Sequence, residues 1–255
     1  MTQFSLANKT VLITGASSGI GAHLAQTAAE AGANVVLAAR RIERLQSLAS
    51  TLTQKGIHAV AVPMDVTNRQ SVEAAFGAAC KQFGRVDVVL NNAGVGQGKR
   101  ALEISEDEWA RMLSTNLDGV WRVAQVAANI MQSDGLGGSI INTASILGLR
   151  VGSGYSHYST AKAAVVQLTK SLALELAKAK IRVNAIAPGY FKTEMNEAYF
   201  ETEKGQQYIQ KSVPMQRLGQ LTELEGPFLL LASNAGSFMT GTVLAVDGGH
   251  LVSSL

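Results

Sequence analysis

Short apolar runs alternate with longer amphipathic stretches along almost the whole chain of 255 residues. Runs such as TVLIT, NVVLAA and GSIINTAS have the length of strands, whereas the stretches between them repeat apolar residues at helical spacing. Two of these helical stretches are closed by glycines, Gly32 and Gly56. Strict alternation of strands and helices predicts a parallel sheet that is covered on both faces and joined by right-handed crossovers. We therefore predict one α/β domain over residues 1–255, with a doubly wound, seven-stranded parallel sheet.

Composition and charge disfavour several classes of protein. The net charge of +3 comes from scattered residues, and a nucleic-acid-binding protein would show a clustered basic stripe. The single cysteine, Cys80, excludes an intrachain disulfide and is predicted to lie in the core. The N-terminal residues lack the layout of a signal peptide, and no apolar run approaches the ~18 residues of a membrane span. We expect a cytoplasmic protein without a membrane segment, and the scattered histidines predict no metal site.

One long segment, about 190–221, lacks a clear helical or strand pattern. A segment of that length inside a compact domain is typically a functional lid or a binding loop. Its aromatic and methionine residues favour a cover over an uncharged, hydrophobic substrate, and packing against the core is an equally weighted alternative.

A glycine-rich turn at residues 14–21, TGASSGIG, connects the first predicted strand with the first predicted helix. Gly15 would permit the turn, Gly19 would let the backbone approach a pyrophosphate, and Gly21 would let the helix pack close to the strand. A phosphate would meet the free N–H groups and the positive end of the helix. This turn predicts a dinucleotide site on a Rossmann fold. The predicted cofactor-binding residues in it are Gly15, Ser17, Ser18, Gly19, Ile20 and Gly21.

The end of the second strand indicates which dinucleotide is bound. Ala39 stands there in place of a carboxylate that would accept from the ribose hydroxyls, and Arg40 and Arg41 follow it. A guanidinium at this point favours NADP(H) over NAD(H), although both arginines could be surface charges at the start of a helix. Asp65, followed by Val66 at the end of the third strand, is a candidate for binding the adenine amino group, or for capping the helix that begins near Thr67.

Tyr158 and Lys162 lie four residues apart in YSTAK, and Ser145 precedes the tyrosine by thirteen residues. Residues four apart share one face of a helix, so the lysine ammonium would lie beside the phenol. A fixed cation would lower the phenol pKa from about 10 toward neutral pH, which suits proton exchange. Ser145, at the end of a strand, would hold a carbonyl oxygen. A surface helix pair and a strand-end hydroxyl are the alternatives.

Together these motifs resemble the short-chain dehydrogenase/reductase family. The turn at 14–21, N91NAG, Asn116, Ser145, Y158STAK and P188G follow the family's order and spacing from residue 14 to residue 249. The resemblance implies that Tyr158 exchanges the proton with the substrate oxygen and that Lys162 lowers its pKa and binds the nicotinamide ribose. It implies that Ser145 holds the substrate oxygen and that Asn116 holds a water on a proton path. It also implies a homotetramer.

The resemblance assigns the remaining cofactor contacts as well. Asn92, Ala93 and Gly94 would flank the cofactor. Pro188, Gly189 and Thr193 would close over its nicotinamide end, with Thr193 bound to the carboxamide.

The predicted activity is reduction of a ketone or aldehyde by NADPH, reversible as secondary-alcohol dehydrogenation, with a small molecule as the partner. A 3-oxoacyl-carrier-protein reductase, an NAD-dependent polyol or sugar dehydrogenase, and a non-catalytic dinucleotide sensor are the alternatives. The candidate substrate-pocket residues follow strand ends or adjoin Tyr158, and they are Val95, Leu147, Tyr155 and Tyr190.

Overall fold

Seven parallel strands form one sheet in a computed structural model that describes residues 3–194 and 196–253. The strands are β1 (Thr10–Thr14), β2 (Asn34–Ala39), β3 (Ala59–Pro63), β4 (Val88–Asn91), β5 (Gly138–Thr143), β6 (Ile181–Pro188) and β7 (Val243–Val246). They pair in the order β3-β2-β1-β4-β5-β6-β7, and every pair is parallel. The chain first adds strands on one side of β1 and then returns to add β4 to β7 on the other. This single Rossmann-type domain confirms the predicted fold.

Helices cover both faces of the sheet. The α-helices of the described residues are α1 (Gly19–Glu30), α2 (Ile42–Gln54), α3 (Arg69–Phe83), α4 (Glu106–Leu113), α5 (Gly119–Ser133), α6 (Ser156–Leu176), α7 (Glu197–Phe200), α8 (Glu203–Ser212) and α9 (Glu225–Ala232). One hydrophobic core joins the sheet to α1, α2 and α9, and a second joins it to α3, α5 and α6. Both faces of the central strands are therefore buried, as their continuous apolar sequences predict.

The strand β1 shows how the sequence divides between these two cores. Val11 and Ile13 belong to the first core and Leu12 to the second, because successive side chains of a strand point to opposite faces. Phe228 on α9 and Phe76 on α3 are fully buried on opposite sides, each contributing about 1.5–3 kcal/mol. The sheet is thus rigidly held where its strands end and the connecting loops begin.

The helical stretch that follows Ser105 is interrupted. Ser105 caps α4, and its hydroxyl and the Glu108 side chain form a capping box. A π-helix then spans Ser114–Asp118 before α5 begins at Gly119. A Cβ at Gly119 would lie 2.8 Å from a methyl group of Val66, so the helix passes close to the end of β3 here. The helix is therefore distorted around Asn116 into a wide turn.

The segment 190–221 contains more regular structure than its sequence indicated, since α7 and α8 lie within it. Met195, one of its predicted apolar residues, lies outside the described residues. Cys80 is only half-buried at the margin of the second core, so its predicted full burial is wrong. Among the residues that the structure describes, no helix has the length and apolar character needed to cross a membrane.

Candidate active site

A cavity of about 370 Å³ opens at the carboxyl ends of the strands, on both sides of the point where the strand order reverses between β1 and β4. Loops that follow β1, β2, β3, β4, β5 and β6 all contribute to its lining. Ligands of open α/β sheets bind in this crevice because the loops on either side of the reversal diverge there.

Tyr158 and Lys162 lie on one face of α6 and line this cavity together with Ser145. The Lys162 Nζ lies 5.8 Å from the centroid of the Tyr158 ring. It donates a hydrogen bond of 2.7 Å to the carbonyl oxygen of Thr143, the last residue of β5. The predicted sharing of a helix face is therefore observed, and the lysine is tethered to the sheet.

Ser145 is fixed by the short helical turn that follows β5. Its Oγ accepts a hydrogen bond of 3.1 Å from the Leu147 N–H. A Cβ at Gly148 would lie 2.7 Å from the carbonyl group of Lys162, so the absence of a side chain lets this turn rest on α6. The serine thereby reaches the same cavity as the tyrosine.

The protonation of these groups differs from the sequence-based expectation. Burial raises the pKa of Tyr158, and its contact with the Ser145 hydroxyl acts in the opposite direction. Burial lowers the pKa of Lys162 to about 8. Desolvation disfavours the charged form of both groups, so it opposes the effect that a neighbouring cation has on a phenol. In the cofactor-free protein Tyr158 therefore keeps its proton at neutral pH.

Asn116 is fully buried in the π-helix, where its side chain binds the loop after β4. Its Oδ1 accepts from the Val95 N–H at 2.9 Å, and its Nδ2 donates to the Val95 carbonyl at 2.8 Å. Gly94 must lack a side chain, because a Cβ would lie 2.8 Å from the Asn116 Oδ1. Asn116 thus holds the wall of the cavity, and its role in binding a water stays a prediction.

The glycine turn has the shape that a bound pyrophosphate requires. Gly15 and Gly19 have φ angles of +69° and +55°, which favour glycine. A Cβ at Gly21 would overlap the Gly15 carbonyl oxygen, so α1 packs directly against the turn. The N-terminus of this twelve-residue helix opens toward the cavity, and the Ser18 side chain does not cap it. Free N–H groups and the helix dipole at this point suit a phosphate, so the turn fits a dinucleotide.

The loops after β1 and β4 support each other beneath that turn. The Thr14 Oγ1 accepts hydrogen bonds from the Asn92 and Ala93 N–H groups at 3.0 and 2.9 Å. The Asn92 Nδ2 in turn donates to the Thr14 carbonyl at 3.2 Å. The NNAG turn therefore fixes the floor of the cavity on both sides of the reversal point.

Arg40 and Arg41 both line the cavity where β2 ends. Arg41 donates to the hydroxyls of Ser17, at 3.0 Å, and Ser18, at 2.8 Å. Its guanidinium is therefore held over the glycine turn, at the β2 end of the cavity.

Asp65 also lines the cavity, but it does not cap the following helix. Although burial alone would raise its pKa, hydrogen bonds from the Thr67 N–H and hydroxyl and the charges of Arg40 and Arg122 hold it below its usual range. The cap of α3 is Asn68, whose side chain accepts from the Ser71 N–H. The alternative interpretation of Asp65 as the helix cap is therefore wrong, and its carboxylate stays charged beside the cavity.

The cavity brings together most of the residues that the sequence singled out. Those in its lining are Gly15, Ser17, Ser18, Gly19, Ile20, Arg40, Arg41, Asp65, Val66, Asn92, Ala93, Gly94, Val95, Asn116, Ser145, Tyr158, Lys162, Pro188, Gly189 and Thr193. Four predicted residues lie outside that lining. Gly21 is buried beneath it, Leu147 is 8% exposed in its turn, and Tyr155 packs edge-on against Tyr158 at 6.3 Å between ring centroids. Tyr190 instead lines a second cavity of about 290 Å³.

Sequence reasoning missed several residues of the site. Thr143 binds Lys162 through its backbone oxygen, a contact that no residue pattern reveals. Glu194 and Asn196 belong to the irregular loop after β6 and also line the cavity. The Asn196 Oδ1 accepts from the Thr193 N–H at 2.9 Å, so the asparagine shapes that loop. None of these contacts has a signal in the sequence, since Glu194 lies 150 residues from Arg44 along the chain.

Comparisons with known proteins agree with this geometry. A family model described as enoyl-(acyl carrier protein) reductase matches residues 15–250. Gluconate 5-dehydrogenase of Gluconobacter oxydans is 38% identical over 250 residues, covering 98% of this chain and 97% of that protein.

Two solved structures are similar over nearly their whole length. A short-chain type dehydrogenase/reductase from Mycobacterium marinum has a TM-score of 0.93 and 41% identity, with 97% of each chain covered. A gluconate 5-dehydrogenase from Burkholderia cenocepacia in complex with NADP and tartrate has a TM-score of 0.95 and 36% identity, covering 99% of this chain and 98% of that one. The chain therefore belongs to the short-chain dehydrogenase/reductase family, as an oxidoreductase that acts on CH–OH and C=O groups with a nicotinamide cofactor.

Proposed function

We propose that this chain is an NADPH-dependent carbonyl reductase of ketones or aldehydes, and a secondary-alcohol dehydrogenase in the reverse direction. One observation carries the proposal: Ser145, Tyr158 and Lys162 line the same cavity as the glycine turn and Arg41. A reacting carbonyl and a dinucleotide would therefore share one enclosed space. Holding two reactants in such a space removes much of the entropic cost of their reaction.

The chain's own residues would bind different parts of the cofactor in different parts of the cavity. The turn at 14–21 and the start of α1 would hold the pyrophosphate, and Arg40 with Arg41 would hold the 2′-phosphate. The remaining cofactor contacts are proposed for Asp65, Val66, Asn92, Ala93, Gly94, Tyr158, Lys162, Pro188, Gly189 and Thr193. The bound nicotinamide supplies or accepts the hydride.

Tyr158 is proposed as the proton donor to the carbonyl oxygen. Its raised pKa keeps the phenol protonated at neutral pH, and Ser145 would hold the same oxygen through its hydroxyl. Lys162, with a pKa of about 8, would replace the proton on Tyr158, because it can gain and lose a proton near neutral pH. Asn116 would keep the Val95 wall in place beside the reacting groups.

An uncharged substrate is favoured by the charges that surround the cavity. Among the described lining residues, the cations are Arg40, Arg41 and Lys162, and each already has a proposed role. Lys99, near Tyr155, is paired with Glu108 at 2.7 Å. The segment 190–221 adds aromatic contacts, with Tyr190 edge-on to Phe200 and Tyr208. We propose this segment as a lid over a hydrophobic carbonyl compound.

A sugar-acid dehydrogenase is the second candidate, favoured by the similarity to gluconate 5-dehydrogenases. A 3-oxoacyl-carrier-protein reductase ranks lower, since the stretches MQSDGLGG and LALEL offer little positive charge to an acidic carrier. The test is loss of NADPH absorbance with alkyl and aryl ketones, a keto sugar acid and an acetoacetyl thioester. Preference for the sugar acid or the thioester would reject the proposed substrate class. Binding of NADPH without turnover of any compound would indicate a dinucleotide sensor instead.

We further propose a cytoplasmic homotetramer with a small-molecule substrate and no nucleic-acid or membrane partner. Leu174 on α6 is 82% exposed and Phe238, ahead of β7, is fully exposed. Apolar surface of this kind supports burial between copies of the chain.

A further inference from the structure

Glu194, in the loop after β6, places a carboxylate beside the arginines at the β2 end of the cavity. Both of its oxygens accept from the Arg44 Nη1, at 2.8 and 2.9 Å. Its Oε2 also lies 3.7 Å from the Arg41 Nη1. Glu194 and Arg41 line the same cavity, so this carboxylate already occupies part of the positive field in which a cofactor phosphate would bind.

The loop that presents Glu194 is braced on both sides. The Asn196 side chain accepts from the Thr193 N–H and donates to the Phe191 carbonyl, in both cases at 2.9 Å. Phe191 is only 4% exposed and anchors the loop in the first core. The Thr193 side chain lies 3.5 Å from the position that a Cβ at Gly19 would take. The loop therefore crosses the start of α1, and its acidic residue is directed to the arginines by fixed contacts.

The two nicotinamide dinucleotides differ at this end of the cavity by one group. NADPH carries a phosphate ester on the adenosine ribose, with a charge of about −1.5 to −2 at pH 7, whereas NADH has an uncharged hydroxyl there. A carboxylate next to Arg41 repels the phosphate and competes for the same guanidinium, but it has little effect on a hydroxyl. Its influence on binding should therefore depend on which dinucleotide enters.

We propose that Glu194 is a specificity-determining residue that limits the preference for NADPH over NADH by competing with the 2′-phosphate for Arg41. The proposal rests on the proposed function, since it requires a dinucleotide in this cavity. It assigns the residue no part in hydride or proton transfer. The chain thus combines arginines that favour the phosphate with an acidic partner that reduces their advantage.

The test measures the dissociation constants of NADPH and NADH for the Glu194→Gln protein and for the unaltered protein. Nicotinamide fluorescence reports the binding. We expect NADPH to bind about three- to fivefold more tightly and NADH to change less than about twofold, because an exposed ion pair contributes at most ~1 kcal/mol, which is about fivefold in affinity. Glu197→Gln is the matched control. Glu197 lies in the same segment, is similarly exposed and pairs with Lys192 at 2.9 Å, so the substitution changes the net charge equally without touching the arginines.

Three results would overturn the proposal. Unchanged NADPH binding by Glu194→Gln would show that the carboxylate does not compete. An equal gain in affinity for NADPH and NADH would show that Glu194 acts on the shape of the loop and not on the 2′-phosphate. An equal gain from Glu197→Gln would assign the effect to net charge. Failure of the unaltered protein to bind either dinucleotide is a separate result, because it would reject the proposed function and this proposal with it.

Discussion

Replacing the buried Lys162 with methionine should stabilise the cofactor-free protein at neutral pH while removing its activity. Lys162 is only 4% exposed, and its ammonium donates to the Thr143 carbonyl. Methionine has a similar length and no charge to desolvate, so the folded state loses a penalty and one hydrogen bond.

The size of the gain follows from the shifted pKa of Lys162. Burial lowers it from 10.5 to about 8, and this difference of about 2.5 pH units corresponds to ~3 kcal/mol against the folded, protonated state. Loss of the hydrogen bond to Thr143 costs about 1 kcal/mol. At pH 7 the Lys162→Met protein should therefore be more stable by about 2 kcal/mol.

The dependence on pH distinguishes this cause from a simple packing effect. Between about pH 8 and 10.5 the unfolded chain holds a proton on Lys162 that the folded chain has lost. The free energy of unfolding of the unaltered protein therefore rises with pH through this window, relative to that of the variant. The penalty is complete below pH 8 and absent above 10.5, where only the hydrogen bond remains and the unaltered protein should be the more stable.

Urea denaturation of both proteins at a series of pH values measures this difference. Lys170→Met is the control, since Lys170 is exposed on the same helix and the same substitution should change stability by less than about 0.5 kcal/mol at every pH. A difference between Lys162→Met and the unaltered protein that stays constant from pH 7 to 10.5 would refute the argument that burial lowers the pKa of this lysine.

Three other variants test the proposed site. Tyr158→Phe should lower kcat at least about 100-fold and leave NADPH binding within about twofold, because it removes only the proton donor; normal turnover would reject that role. Ala39→Asp combined with Arg40→Ala should shift the ratio of kcat/KM for NADPH and NADH toward NADH by about tenfold or more; an unchanged ratio would reject the arginine argument. Gly21→Ala should lower Tm and weaken dinucleotide binding, because its Cβ would overlap the Gly15 carbonyl oxygen; an unchanged Tm would show that the turn can relax.

The sheet could be predicted from the sequence because each strand is an apolar run with clear ends. The bounds of β1 and β2 coincide with TVLIT and NVVLAA. Polar or glycine residues border these runs, and burial on both faces requires continuous apolar sequence. The doubly wound arrangement followed from the right-handed crossover rule, which leaves few arrangements for alternating strands and helices.

Helices α8 and α9 could not be predicted because their sequences contain glycine and proline, which usually indicate the end of a helix. Gly205 lies inside α8, where a side chain would overlap the Tyr199 carbonyl oxygen of α7. The missing side chain at Gly205 lets α8 pack against α7, although a glycine in the sequence suggests the end of a helix. Gly226 and Pro227 precede the apolar residues of α9, and proline is tolerated there because the first turn of a helix has no intrahelical acceptor for its missing N–H.

The position of the reacting residues could be predicted more fully than their protonation. Spacing places Tyr158 and Lys162 on one helix face, but it carries no information on desolvation, which reverses the expected shift in the phenol pKa. Glu194 was missed because its nearness to Arg44 arises from the path of a loop. Leu147 and Tyr190 follow strand ends as expected, yet neither belongs to the lining of the main cavity.

The π-helix at Ser114–Asp118 is a place where the exact number of residues matters. A wide turn of this kind accommodates one residue more than the α-helical path it replaces, as a single insertion into a regular helix would produce. Shortening it by one residue would restore regular winding and leave α4 and α5 in phase with their neighbours. The two hydrogen bonds between the Asn116 side chain and the Val95 backbone would be lost with the extra residue. The length of this stretch therefore determines whether Asn116 can hold the cavity wall.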